Sequence, residues 1–239
     1  MKSIKVRGAE WKYNDLNTEQ SETILLVHGH PFDHSMWKYQ YEALSAFRLI
    51  LPDLKGYGQS ATDFTKIHIE EQALDLALLL DELGIKQVHL IGLSMGGQII
   101  VEFQRLFPQR VKSLVIAAST PTAETSESYT NRLKIAANIE QIGMLEYTKN
   151  DIHKYINLDQ ISKVSATYQH LFTMMSNTKV QGAVASHRGR AERRDNFAYL
   201  KQIEIPTLVI AAEKDYFFKV AEVQKIAEEI DDAQFGVIK

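Results

Sequence analysis

A chain of 239 residues with an apolar share of 45% and a charged share of 24% holds one large domain, or a core with an insertion. A net charge of about -3 with no concentrated basic block gives no purchase to nucleic acid or to an anionic membrane surface. The absence of cysteine excludes disulfides, thiolate–metal sites and a cysteine nucleophile.

The N-terminal stretch MKSIKVRGAEWKYNDL alternates polar and apolar residues and has no long apolar core, so no signal peptide is visible. With the missing cysteines, this sets the expectation of a cytoplasmic protein. Thr23 to Val27 (TILLV) reads as a buried strand ending in His28-Gly29, and Arg48 to Pro52 (RLILP) as another ending in Asp53. Ile67 to Leu83 reads as a helix with Ile69, Ala73, Leu76, Leu80 and Leu83 on one face and Gly84 after it. The most apolar run in the chain, Ala73 to Leu80, is interrupted by Asp75 and is too short to span a bilayer. Gln87 to Gly92 (QVHLIG) is a third buried strand, Gly96 to Phe107 a helix stopped by Pro108, and Val111 to Ala117 (VKSLVIA) a fourth strand. From about Thr120 to Asn196 the pattern is mainly helical, with few strand candidates. Ile203 to Ala212 restores a buried strand entered through Pro206, Val220 to Ile230 is a helix, and Ala233 to Ile238 a last strand. Continuous apolar strands separated by helices define an α/β chain whose mostly parallel sheet is covered on both faces. The expected organisation is a core of residues 1–119 and 197–239, interrupted by a helical cap over 120–196.

Between the third strand and the following helix lies Gly92-Leu93-Ser94-Met95-Gly96. Glycines at these positions let strand and helix pass close to a serine held on a sharp, strained turn, an arrangement that exposes a nucleophile. A plain strand-to-helix turn capped by serine uses the same residue types. The buried strand before and the amphipathic helix after favour the nucleophile. Asp215 lies just past a buried strand, at the sheet edge where parallel α/β folds bind ligands; an ordinary loop aspartate would sit there equally well.

Several segments, in order, resemble the α/β-hydrolase family. They are His28-Gly29-His30-Pro31 with Trp37 downstream, "PDLKGYGQS" from Pro52 to Ser60, the "GLSMGG" elbow, "FPQRVKSLVI", and "IPTLVIAAEKD" from Ile205 to Asp215. The resemblance implies that Ser94 is the nucleophile and Asp215 the acid of a catalytic triad. It implies an oxyanion hole made by the backbone N–H groups of Met95 and His30, since Pro31 has none to give. It also implies a substrate pocket touching Phe32 and Trp37, a small and fairly apolar carboxylic ester or related acyl compound as substrate, and no cofactor. A serine at the elbow argues against dehalogenase and epoxide-hydrolase relatives, which carry an aspartate there.

The family's order is Ser, then acid, then His. The eight histidines are His28, His30, His34, His68, His89, His153, His170 and His187, and none follows Asp215. Three explanations stand side by side. The chain is truncated at its C-terminal end and the histidine lies beyond Lys239; or His187 or His30 substitutes; or the protein is a hydrolase-like ligand-binding module without turnover. A truncated sheet would expose apolar surface and pair with another copy, hence an expected homodimer.

His28-Gly29-His30-Pro31-Phe32-Asp33-His34 also resembles the His-x-His-x-Asp-His motif of metallo-β-lactamase-like hydrolases, but has one residue too many before the aspartate, and no later ligand set accompanies it. No metal is expected. His28 is expected to pack within its loop, His30 to line the pocket entrance, and His34 to sit at the surface. His89 reads as structural, His68 as a solvated helix start, and "SHRGRAERRD", Ser186 to Asp195, as a charged helical face that is solvated or makes a cap-to-core contact, in preference to an anion site. Met174 and Met175 are as consistent with core as with pocket.

Overall fold

The computed structural model describes residues 1–239. Its sheet contains β1 (Lys2–Val6), β2 (Ala9–Leu16), β3 (Thr23–Val27), β4 (Arg48–Pro52), β5 (Val88–Leu93), β6 (Val111–Ala117), β7 (Thr207–Ala212) and β8 (Gln234–Ile238). The spatial order is β1-β2-β4-β3-β5-β6-β7-β8, antiparallel at β1/β2 and β2/β4 and parallel from there to β8. The apolar runs predicted as strands form its centre, where all five residues of β3 are buried. β7 starts later than Ile203 because Pro206 has no N–H for a ladder; its carbonyl instead accepts from Leu114 N.

The N-terminal alternation, not read as strands, is a hairpin. Arg7 and Gly8 both take positive φ, the backbone that a tight hairpin turn requires. The alternation puts Val6, Trp11 and Tyr13 into the core.

α1 (Ile69–Glu82) and α2 (Met95–Leu106) pack on the sheet as their apolar faces predict, and α6 (Val220–Glu228) lies against β7 and β8. Between β6 and β7 the chain forms α3 (Ser126–Asp151), bent at Gly143 where φ is 76°, then α4 (Ala166–Asn177) and α5 (Val180–Ala191). Thr125 and Ser165 cap α3 and α4 by accepting from Ser128 N and Tyr168 N. Met174 and Met175 are buried in the insertion's own apolar cluster with Ile139 and Met144. No helix is long and apolar enough to cross a membrane.

Of the two readings of "SHRGRAERRD", α5 follows the cap-to-core one: Ser186, His187, Gly189 and Arg190 are buried, while Glu192, Arg194 and Asp195 are exposed. The reason is glycine. A Cβ on Gly182 would stand 1.7 Å from Gly56 O, and one on Gly189 1.8 Å from Ile67 O. Backbone therefore meets backbone at both ends of the helix, and the side chains between are enclosed whatever their charge.

Candidate active site

β3 and β5 end in register, Val27 opposite Gly92, so the loop after β3 lies beside the turn after β5. Ser94 occupies that turn with φ 52° and ψ −113°, a conformation strained for a residue with a Cβ. Its backbone is held on both sides, Ser94 N donating to Ala117 O at 2.9 Å and Ser119 Oγ donating to Ser94 O at 2.7 Å. The crossing is close: a Cβ on Gly96 would lie 2.1 Å from Val27 O. Met95 opens α2, so its N–H is one of the first-turn donors with no partner inside the helix, at the positive end of the helix dipole.

Asp215 follows β7, two strands away from Ser94. Its Oδ1 accepts from Phe217 N at 2.7 Å and Phe218 N at 3.1 Å, which fixes the carboxylate at the loop. Ser94 and Asp215 line one cleft of about 650 Å³ together with His30 and Phe32. A second cavity of about 300 Å³ shares Ser94 and His30 and adds Arg132, His187 and Arg190 from the helical insertion.

His30 is enclosed rather than placed at an entrance. Its Nδ1 lies 2.8 Å from Tyr57 Oη and its Nε2 3.0 Å from His187 Nε2. Burial, then each other's proximity and the Arg190 and Arg132 charges, hold His30 well below the usual imidazole pKa; burial and the same arginines do so for His187. Both rings are neutral at pH 7. Burial pushes the Tyr57 phenol up to about 12, so it remains a hydroxyl. Met95 turns its sulfur to Tyr57 Oη and Ser186 Oγ, at 3.6 and 3.3 Å, tying the elbow to α5. No histidine is hydrogen-bonded to Ser94 Oγ.

Phe32 stands between the cleft and the insertion, edge-on to Tyr155 at 5.7 Å. Trp37, expected in the pocket, is elsewhere: it is buried with Ile24, Leu26, Leu49 and Leu51 on the sheet. The short 3-10 turn His34–Trp37 rotates the indole onto the strands and away from Ser94.

The histidine-rich loop does not converge on one ion. His28 Nδ1 donates to Gly29 O and its Nε2 accepts from Leu54 N, at 2.9 and 3.0 Å, which makes it the loop-packing residue anticipated. His34 is not a surface group. Its Nδ1 and backbone N both meet Asp53 Oδ1, at 2.7 and 3.0 Å. Burial opposes the charging of His34, but the bond to Asp53 and the charges of Asp53 and Asp33 outweigh it and raise its pKa. Asp33, His34 and Asp53 are close enough to hold an ion, yet Asp33 Oδ1 accepts from Ser35 N and Oγ, and Asp53 accepts from His34 and Gln59 N. Their ligand atoms already serve the loop. His89 is structural as expected, bonded to Ser113 Oγ at 2.8 Å.

Sequence reasoning missed Arg190, Arg132 and Glu124. Nothing in a charge-rich helical stretch distinguishes an enclosed arginine from a solvated one; the glycines at 182 and 189 were the available signal.

Comparison with known proteins agrees with this fold. A family profile described as alpha/beta hydrolase fold matches residues 22–140. The fold superimposes with a TM-score of 0.92 on a thermophilic esterase from Thermogutta terrifontis solved with malate bound, 29% identical, covering 100% of this chain and 90% of that one. The enol-lactonase from Burkholderia xenovorans shares the fold with a TM-score of 0.91 at 22% identity, covering 100% and 91%. A 3-oxoadipate enol-lactonase of Acinetobacter baylyi is 27% identical over 223 residues, 92% of this chain and 81% of that protein.

Proposed function

The chain belongs to the α/β-hydrolase fold family, and from that premise we propose that it is a serine hydrolase of small, fairly apolar carboxylic esters or related acyl compounds. The observation that carries the proposal is Ser94: a residue with a Cβ, held at φ 52° between β5 and α2, on the wall of a cleft that also contains Asp215. Ser94 Oγ attacks the carbonyl carbon, and the Met95 and His30 amides receive the developing oxyanion. The alcohol leaves, and water then cleaves the acyl-serine ester. Asp215 orients the imidazole that moves the serine proton.

That imidazole is the open role. No histidine follows Asp215 in these residues; three others line cavities that contain Ser94, the exposed His153 on the larger cleft and the pair His30 and His187 in the smaller one. Both are held neutral, the state a base requires, but their Nε2 atoms are engaged with each other at 3.0 Å. The lack of an imidazole bond to Ser94 Oγ favours a second reading, a hydrolase-like protein that holds its ligand without turnover. An oxyanion hole alone retains only a small residue of a triad's rate.

Hydrolysis of p-nitrophenyl acetate by the parent and by Ser94→Ala separates the two readings. The serine-hydrolase reading expects a large drop in Ser94→Ala and an acetyl adduct on intact parent protein by mass spectrometry. Equal rates without an adduct leave the binding reading. Loss of activity in His187→Ala or His30→Ala, with the fold retained, would assign the base to that pair.

A further inference from the structure

Two arginines of the helical insertion share one carboxylate, and a third has none. Arg132 Nη2 lies 2.5 Å from Glu124 Oε1, and Arg193 Nη1 bonds the same oxygen. Burial raises the Glu124 pKa, but the Arg132 and Arg193 charges and hydrogen bonds override it and bring it to about 2, so Glu124 is ionised and fully engaged. Lys154, on the same cavity, is paired with Asp151. Arg190 is left over. It is 6% exposed, forms no salt bridge, and its one hydrogen bond is from Nε to Gln98 Oε1 at 3.4 Å.

An enclosed guanidinium without a paired anion is unfavourable, because burial removes its hydration and a single long hydrogen bond replaces little of it. Burial and the Arg132 charge lower its pKa to about 9, which still leaves a cation at neutral pH. One turn earlier on α5, His187 Nδ1 is buried without a hydrogen-bond partner. Both residues line the cavity of about 300 Å³ that contains Ser94 and His30. A guanidinium used only to pack α5 on α2 would bring its own carboxylate; Glu102, also on α2, is instead taken by Arg105 and Asn196.

We propose that Arg190, with His187 beside it, forms a subsite for an anionic group of the substrate, so that the preferred acyl compound carries a free carboxylate away from its reacting carbonyl. The term substrate rests on the serine-hydrolase reading; the anion subsite does not. A carboxylate offers two oxygens to the planar fork of a guanidinium, and binding it neutralises the one unpaired cation of the cavity. A neutral ester of the same shape leaves that cation unpaired in a desolvated site, the situation in which buried polar groups discriminate strongly.

Titration calorimetry of the full chain at neutral pH and constant ionic strength, with monomethyl glutarate and dimethyl glutarate as probes, tests this. The monoanion is expected to bind at least roughly tenfold more tightly than the diester. Arg190→Met should abolish the preference and Arg190→Lys should keep part of it. Equal or tighter binding of the diester by the parent overturns the proposal without recourse to any variant. So does an unchanged preference in folded Arg190→Met. If Ser94→Ala hydrolyses p-nitrophenyl acetate at the parent rate, the serine reading fails, while the anion subsite is decided by the calorimetry of the parent and Arg190→Met alone.

Discussion

The seat of α5 can be tested with one methyl group. In Gly182→Ala the added Cβ would stand 1.7 Å from Gly56 O, and real Cβ atoms essentially never approach another atom within 3.0 Å, so helix and loop must separate by at least about 1.3 Å. Neither partner is a flexible side-chain tip; both are backbone. Replacing glycine by alanine inside a helix favours folding by about 1 kcal/mol. Against this, overpacking of a filled interior costs about 1–3 kcal/mol. A gap of about 0.5–1 Å also forfeits a quarter to a half of each dispersion contact across it, and the neighbouring Ala183, Val184 and Ala185 are buried. The net expectation is a loss of about 2–3 kcal/mol, a fall in Tm of roughly 4–12 °C for a chain of this size. Differential scanning calorimetry reads it directly, and Gly236→Ala, whose Cβ meets nothing within 4 Å, is the matched control. The lift also carries His187 and Arg190 outward, so binding of monomethyl glutarate should weaken in the same variant. A Gly182→Ala protein that melts with the parent, or no lower than Gly236→Ala, would refute the backbone-on-backbone account.

Other expectations concern charge and the elbow. Arg190→Met, which replaces an unpaired buried cation by an apolar chain of similar length, should raise stability by on the order of 1–4 kcal/mol while removing the anion preference; a lower Tm would show that Arg190 has a partner in solution. His30 and His187 are depressed in the fold and take up protons on unfolding. Stability should therefore fall with pH below the ordinary imidazole value, by about 1.4 kcal/mol per pH unit for each ring that stays neutral. His34 acts in the opposite sense and in another window: its raised pKa makes its contribution complete below the ordinary imidazole value and lost as pH rises through the folded value, so the acid-side slope of the two rings is left unchanged. Urea midpoints between about pH 8 and 5 should show this decline, and His187→Phe should reduce its slope by about one proton; a flat parent profile would contradict the burial of the pair. Gly96→Ala drives a Cβ to 2.1 Å from Val27 O at the centre of the sheet, and soluble yield with far-UV circular dichroism should show it failing to fold. A soluble variant with parental esterase activity would mean the elbow is looser than described.

The sheet was legible because buried parallel strands are written as short apolar runs, and the elbow because only glycines permit that crossing. Asp215, on the same cleft, was legible from the resemblance of its segment and from its place past the end of β7. Trp37 was misplaced because family-like spacing says nothing of the turn that rotates the indole onto β3 and β4. His34 was read as exposed because its partner Asp53 is 19 residues away, and that pairing exists only once β3 and β4 lie side by side. α5 was left between a solvated face and a cap-to-core contact for a deeper reason. Helical periodicity assumes that apolar residues mark the inner face, whereas here the inner face is set by Gly182 and Gly189, and His187 and Arg190 are enclosed by backbone contact.

The two glycine contacts of α5 also decide how traffic reaches Ser94. A helix riveted to the core at both ends is a wall and not a door, and it fixes the far end of the cavity. The other rim of the cleft is made of rings: Tyr155 and Phe217 lie 5.1 Å apart, His153 faces Tyr216 at 6.3 Å, and Tyr216 is 63% exposed. Side chains such as these rotate in picoseconds to nanoseconds, against microseconds to milliseconds for the swing of a domain. Changing the rings at 155, 216 and 217 would thus alter what enters and how quickly, while leaving untouched the floor on which it is held.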